Sequence, residues 1–298
     1  MMLILQGMRR SGTTIVYDAL AQDPALTLFY EPLAAAVKPA IGGGSGARDV
    51  DPFMSLREAR QAFLAARGLR DSTPLNLGGP HDATLEFDRA LPPLASDYLQ
   101  FLLDRPGPVA AKFTRIYAKV PAVAALFPHA GFVHLVRDPR ACVASYLFGK
   151  GRRYEQRFGQ PDVFFGNCSD RTAWSSYPIS ELVRQEYADE SLPEPTDLER
   201  ILLVWRFTYE RVRLDAARCY GDRAIVLRHE DFCTNPAQQL ARLYSLDGRV
   251  PPTEVLTWAQ AHVHPPGPIH AAADPRWREA FERMRMVELV EAAGYTAA

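Results

Sequence analysis

Leu3-Ile4-Leu5-Gln6-Gly7-Met8-Arg9-Arg10-Ser11-Gly12-Thr13-Thr14 constrains this chain more than any other stretch. An apolar run ends in glycine, a short polar loop follows, and a helix begins. Ile15, Val16, Ala19 and Leu20 then recur on one helical face. Strand, loop and helix start together make a phosphate cradle. The first backbone N–H groups of a helix lack internal partners and point outward, and the helix dipole adds positive potential there. Gly7 and Gly12 have the spacing of the nucleotide loop G-x-x-x-x-G-K-[ST], but Thr13 stands where that loop carries lysine. The lysine serves the transferring phosphate in phosphoryl transfer. Here the cations are Arg9 and Arg10, inside the loop. The stretch therefore suits a phosphate without suiting ATP hydrolysis. The plainer alternative is a tight turn that tolerates glycine.

Further along, strands alternate with helices. Thr27 to Leu33 reads as a short strand stopped at Pro32, which places Glu31 at a strand end beside the loop. Residues 39–52, with glycines at 42–44 and 46, read as a flexible loop, and Leu56 to Leu69 as a surface helix. Residues 71–93 read as irregular and Ala95 to Leu103 as a short helix. Val109 to Phe113 and Gly131 to Val136 are apolar strands separated by a helix over Pro121 to Phe127. Pro139 opens a helix whose apolar face is Cys142, Val143, Tyr146 and Leu147. Residues 148–196 break the alternation and read as an insertion that covers a site. Asp197 to Cys219 is a long helix, Ala224 to Leu227 a last strand, and Pro236 to Leu246 a helix. A Pro-rich stretch, 262–275, precedes one closing helix over Trp277 to Ala293. This order predicts a three-layer, P-loop-like α/β fold, a central parallel sheet between helices, in a single domain spanning 1–298. Stretches 34–105 and 148–196 are its substrate-covering insertions.

Composition narrows the function classes. Apolar residues make up 47% of the 298 and charged residues 23%, as in a soluble globular protein. A net charge of −1 gives no global field for nucleic acid or membrane, so any anion site arises from local clustering. Cys142, Cys168, Cys219 and Cys233 have no C-x-x-C spacing and suggest no metal framework. No apolar run approaches a membrane span, and the N-terminal apolar run is too short for a signal peptide, so the expectation is a cytoplasmic enzyme. Oligomeric state is not legible.

A second anion motif is Arg137-Asp138-Pro139-Arg140 with Ser145 eight residues after Arg137. Arg137 stands at the carboxyl end of a strand, where open α/β sheets bind ligands. A guanidinium fork and a hydroxyl together orient a phosphate. Taken alone, Asp138 equally suits a helix cap and Arg137 an ion pair.

Together the two motifs resemble the sulfotransferases that use 3′-phosphoadenylyl sulfate (PAPS). Arg10-Ser11-Gly12-Thr13-Thr14 is similar to that family's loop for the 5′-phosphosulfate, and Leu135 to Arg140 running on to Ser145 to its 3′-phosphate motif. Leu227-Arg228-His229-Glu230-Asp231-Phe232 resembles its Tyr-Glu-Asp segment, with His229 in place of tyrosine. Asp274-Pro275-Arg276-Trp277-Arg278 resembles its C-terminal segment over the nucleotide. Arg10 in the lysine position and Phe29-Tyr30-Glu31-Pro32-Leu33 look most like the carbohydrate sulfotransferases.

The resemblance implies PAPS as sulfuryl donor, 3′-phosphoadenosine 5′-phosphate (PAP) as product, and no required metal. It implies cofactor contacts from Arg9, Arg10, Ser11, Gly12, Thr13, Thr14, Arg137, Ser145 and Trp277. For Trp277, packing its own helix is the alternative to stacking near the adenine. Glu31 becomes the general base, Arg10 a stabiliser of the leaving group, and Lys112, with Arg115, a cation facing the sulfuryl group or an anionic acceptor; each of the two cations equally suits the surface. The acceptor is a hydroxyl, less readily an amine, of a small molecule, natural product or saccharide. His81, His129, His134, His262, His264 and His270 are rival bases, with His134 better read as core. The residues of the insertion around Arg152, Arg153, Tyr154, Phe158, Phe164 and Phe165 are candidates to line the acceptor pocket. A P-loop small-molecule kinase and a non-catalytic nucleotide-binding protein remain the competing functions.

Overall fold

The computed structural model describes residues 2–34, 54–77, 83–167 and 177–297. The glycine-rich stretch at 42–46, His81 and Cys168 lie outside them. Apolar residues of β1 (Met2–Gly7) alternate between two hydrophobic clusters, Leu3 and Leu5 in one and Ile4 in the other. α1 (Thr13–Leu20) follows, then β2 (Thr27–Tyr30). Next come α2 (Met54–Ala66), the short α3 (Ala83–Phe87) and α4 (Pro93–Leu103). β3 (Val109–Phe113), α5 (Val120–Leu126), β4 (Gly131–Val136) and α6 (Pro139–Phe148) restore the alternation.

The five strands, completed by β5 (Ala224–Arg228), are all parallel in the order β2-β3-β1-β4-β5. β1, β3 and β4 are buried almost throughout, as a parallel sheet covered on both faces requires. One face packs Ile4, Ala111 and Phe132 against residues of α4, α5 and the long α10 (Asp197–Tyr220). The other packs Leu5, Ala110 and Val133 against α1, α12 (Pro236–Ser245) and α13 (Thr253–His262). This is the three-layer α/β fold expected. α10 starts at a capping box: Thr196 Oγ1 accepts from Glu199 N at 3.3 Å, and Glu199 Oε2 accepts from Thr196 N at 2.8 Å.

Four segments differ from expectation. Residues 71–93 hold a 3-10 turn at Thr73–Leu75 as well as α3. Residues 148–196 are built of short helices, α7 (Glu155–Phe158), α8 (Pro161–Phe165) and α9 (Tyr177–Glu186). Their apolar residues recur too briefly for a long periodic signal, yet Phe158, Phe164, Ile179 and Val183 are buried. Residues 247–261 carry no strong pattern, but α13 buries Val255 and Ala259, one turn apart. The single closing helix is in fact two, α14 (Arg276–Arg283) and α15 (Val287–Ala292). Arg285 between them is left-handed (φ 50°), and Met286 N donates to Phe281 O at 2.8 Å. That is a helix-ending motif with arginine in glycine's usual place, and it lets Met284 and Met286 both be buried. α11 (His229–Thr234) follows β5 directly.

Strand order decides the site. β1 lies between β3 and β4, with Gly7 opposite Leu135 and Leu5 opposite Lys112. Glu31, Lys112, the 8–13 loop, Arg137 and His229 thus gather along one edge, the carboxyl ends of the strands.

Candidate active site

The phosphate-type loop is held by close approach. Gly12 has φ +89°, and a Cβ there would lie 2.2 Å from His229 Nδ1. A Cβ on Gly7 would lie 2.5 Å from Ser11 Oγ and 2.8 Å from the Leu135 carbonyl. Glycine at both positions is therefore a steric requirement of this loop. Arg10 is also left-handed, at φ 72°. Thr13, at the start of α1, is buried.

Arg10 turns toward the second motif. Its Nε donates to Ser145 Oγ at 2.8 Å, and Arg137 Nη1 donates to the Arg10 carbonyl at 3.1 Å. Burial first, then the nearby charges of Arg137 and Arg9, lower the Arg10 guanidinium below its usual value. It stays protonated, and an anion would relieve the crowding. The Arg137 backbone is fixed from two sides. Trp205 Nε1 donates to its carbonyl at 2.9 Å, and the next amide, of Asp138, donates to Glu230 Oε1 at 3.0 Å. Glu230 Oε2 in turn accepts from Tyr295 OH at 2.8 Å. Asp138 does cap α6, accepting from Arg140 N at 2.9 Å, and it pairs with the Arg140 side chain at 2.8 Å. The residues after β5 therefore act as a brace for the Arg137 turn.

A cavity of about 180 Å³ opens beside this corner, lined by Arg10, Arg137, Ser145, Phe148, Arg152 and His270 among others. Arg152, ion-paired with Glu155, adds a guanidinium to this corner beyond the sequence motifs, and His270, whose pKa burial and then the Arg152 charge lower, adds an uncharged imidazole. The Gly149-Lys150-Gly151-Arg152 run directly after α6 was the available signal. Trp277 does not line the cavity. It is fully buried against Phe164 and Phe165, and its Nε1 donates to the His270 carbonyl at 3.3 Å.

Glu31 forms a different cluster at the ends of β2 and β3. It is left-handed (φ 52°), and its amide donates to the Lys112 carbonyl at 2.8 Å. Its carboxylate accepts from Lys112 Nζ at 2.6 Å, Thr114 Oγ1 at 2.8 Å and Thr114 N at 3.1 Å. Burial alone would raise its pKa. The Lys112 charge and hydrogen bond, the Thr114 hydroxyl and the Arg115 charge outweigh that and hold it below the usual value. Lys112 is 2% exposed and is committed to Glu31 and the Tyr30 ring face, 4.3 Å away, so it is not a surface cation. Tyr30 OH and Thr14 Oγ1 are 3.1 Å apart, which ties this cluster to α1. Arg115 pairs at 3.6 Å with Glu86, whose carboxyl burial raises.

Among the rival histidines, His134 is core, packed on Tyr209, and burial lowers its pKa to about 3. His129 and His264 are exposed, and His262 is exposed and stacked on Trp258. His229, which no sequence motif marks as a base, packs directly on Gly12, with Cys233 Sγ 3.5 Å from its Nε2. Burial, then Arg137, lowers His229 to about 4. Its folded pKa lies below the unfolded value of about 6.5, so its stabilisation is complete above that pH and lost as pH falls through about 4. The denaturation midpoint should therefore fall on acidification from about pH 6.5, before ordinary carboxylates titrate. His134, lowered to about 3, contributes to the same slope, so His229→Gln should lessen it in part, and an unchanged slope would remove His229 as a source.

Among the described residues, no helix is long and apolar enough to cross a membrane, and no three His, Cys, Asp or Glu side chains cluster as a metal site.

Several solved structures are similar. The sulfotransferase domain from the curacin biosynthetic pathway is 17% identical, covers 91% of this chain and 81% of its own, and superimposes with a TM-score of 0.46. The sulfotransferase domain of the Synechococcus PCC 7002 olefin synthase is 17% identical over 99% and 94%, with a TM-score of 0.48. Mouse sulfotransferase SULT7A1, complexed with PAP, is 13% identical over 87% and 63%, with a TM-score of 0.39. No curated protein matches. Residues 3–169, more than half of the chain, match the model of the sulfotransferase family, and the chain belongs to that family.

Proposed function

We propose that this sulfotransferase moves the sulfuryl group of PAPS to a hydroxyl of a small-molecule, natural-product or saccharide acceptor, an amine being the lesser alternative. The observation that carries the proposal is the junction of the two anion motifs: Arg10 on Ser145, and Arg137 on the Arg10 carbonyl, beside an arginine-lined cavity. The residues suit a bis-phosphorylated nucleotide. Arg10 and Arg137 both line the cavity, and the Arg137 charge helps lower the Arg10 guanidinium, a crowding that a bound anion relieves. Bound PAPS supplies an electrophilic sulfuryl group whose departure leaves charge on the 5′-phosphate.

Arg10, the loop amides and the Thr13 and Thr14 hydroxyls stabilise that charge, with Arg9 and Ser11 shaping the loop. Arg137 and Ser145 hold the 3′-phosphate, and Arg152 closes the same corner. Trp277 supports the His270 segment from behind. Glu31 takes the acceptor's proton. Its lowered pKa keeps it ionised at neutral pH, the state a base needs, at some cost in basicity. Lys112 holds Glu31 in place. Thr13 in the lysine position argues against the kinase reading.

Calorimetric titration with PAP, AMP and ATP, without and with magnesium, tests the proposal. Tight PAP binding with weak AMP and ATP binding is the expected result. Preference for magnesium and ATP would overturn it in favour of a kinase.

A further inference from the structure

Several buried side-chain polar atoms have no hydrogen-bond partner among the described residues, and four of them belong to one place. Ser11 Oγ, His134 Nδ1, Arg137 Nε and Thr208 Oγ1 all belong to side chains lining a small cavity beneath the phosphate-type loop. They come from four different parts of the fold: the loop, β4, the turn after β4, and α10. Ser11, His134 and Thr208 are 1%, 2% and 2% exposed. A buried polar group left without a partner is destabilising. Four around one cavity therefore call for a common partner.

The cavity leaves about 10 Å³ for the centre of a water molecule, which is the room one water needs. Its remaining wall includes Trp205 and Tyr209, stacked at 5.1 Å. The partner must accept from the Arg137 Nε–H and also serve two hydroxyls and an imidazole nitrogen. A neutral molecule that both donates and accepts meets this, whereas a cation would face the Arg137 guanidinium.

We propose that this cavity is a built site for one ordered water, and that Thr208 and His134 are positioning residues that orient Arg137 through it, with the Ser11 hydroxyl as the water's fourth partner. Water-mediated bonds are nearly as favourable as direct ones when the water has several partners. His134 is suited to the task because burial keeps its ring neutral, with one nitrogen free to accept. Trp205, one turn before Thr208 on α10, already fixes the Arg137 carbonyl. The water would fix the side chain from the same helix. Only the last link, that Arg137 holds a 3′-phosphate, rests on the function proposed above.

A crystal structure of the full chain that resolves ordered waters tests the site. The expected result is a density peak within hydrogen-bonding distance of at least three of the four atoms. A dry cavity, or direct bonds among the four side chains, overturns the proposal. Thr208→Val keeps the shape and removes the hydroxyl. It should weaken PAP binding about fivefold, the scale of one such hydrogen bond, and leave AMP binding unchanged. Thr208→Ser should restore PAP affinity. Unchanged PAP affinity, or equal losses for PAP and AMP, overturns the positioning role. If the unaltered protein binds no PAP, the proposed function fails, and the density peak still decides the water site.

Discussion

Arg137→Ala should weaken PAP binding about a hundredfold, as expected for losing charge-assisted hydrogen bonds worth about 2–3 kcal/mol. The effect should be local. Trp205 holds the Arg137 carbonyl and Glu230 holds the Asp138 amide, so the turn survives loss of the side chain. AMP, which lacks the 3′-phosphate, supplies the control and should bind the variant nearly as it binds the parent protein. Arg137→Lys should fall between, because it keeps the charge and loses the planar fork. Calorimetry with both nucleotides reads both variants against the parent protein. Parent-like PAP affinity in Arg137→Ala would sink the assignment of this anchor, and equal losses for PAP and AMP would point to a collapsed turn.

Glu31→Gln should lower turnover about 10²- to 10⁴-fold, the range of a positioned general base, with PAP affinity nearly unchanged. The same carboxylate also clamps β2 to β3 through Lys112 and Thr114. Losing it strands a buried ammonium, which costs about 3–5 kcal/mol, so the variant should also unfold more readily. A double variant, Glu31→Gln with Lys112→Met, removes the stranded charge and separates the two roles. Stability should recover while turnover stays low. Recovery of both would show that Glu31 only holds the strands together.

Much of the fold was legible because its signals are local. Five apolar strands and the helices between them were visible in runs such as Gly131 to Val136 and in the Pro-led starts of α5 and α6. The break at Arg285 was not legible, because a non-glycine residue took the left-handed position. α13 was missed because it buries only two residues of its own and relies on neighbours to cover them.

The candidate site divides the same way. Gly7, Gly12 and Arg137 could be singled out from spacing, since a cradle of amides and a strand-end arginine have fixed sequence neighbours. The Asp138 cap is likewise local, two residues from Arg140. The pairing of Glu31 with Lys112 spans 81 positions, and that of Arg10 with Ser145 spans 135. Nothing in sequence placed Arg152 and His270 around one cavity, or Ser11 and Thr208 around another.

By itself, then, the chain's sequence determined the phosphate-type loop, the alternation of strand and helix, and the family to which the chain belongs. These depend on backbone geometry and periodicity within a few residues. Tertiary structure alone decided that β1 lies between β3 and β4, that Lys112 is given to Glu31, and that Arg10 turns to Ser145. Those outcomes depend on which strand ends become neighbours, and that is settled by burying both faces of the sheet together.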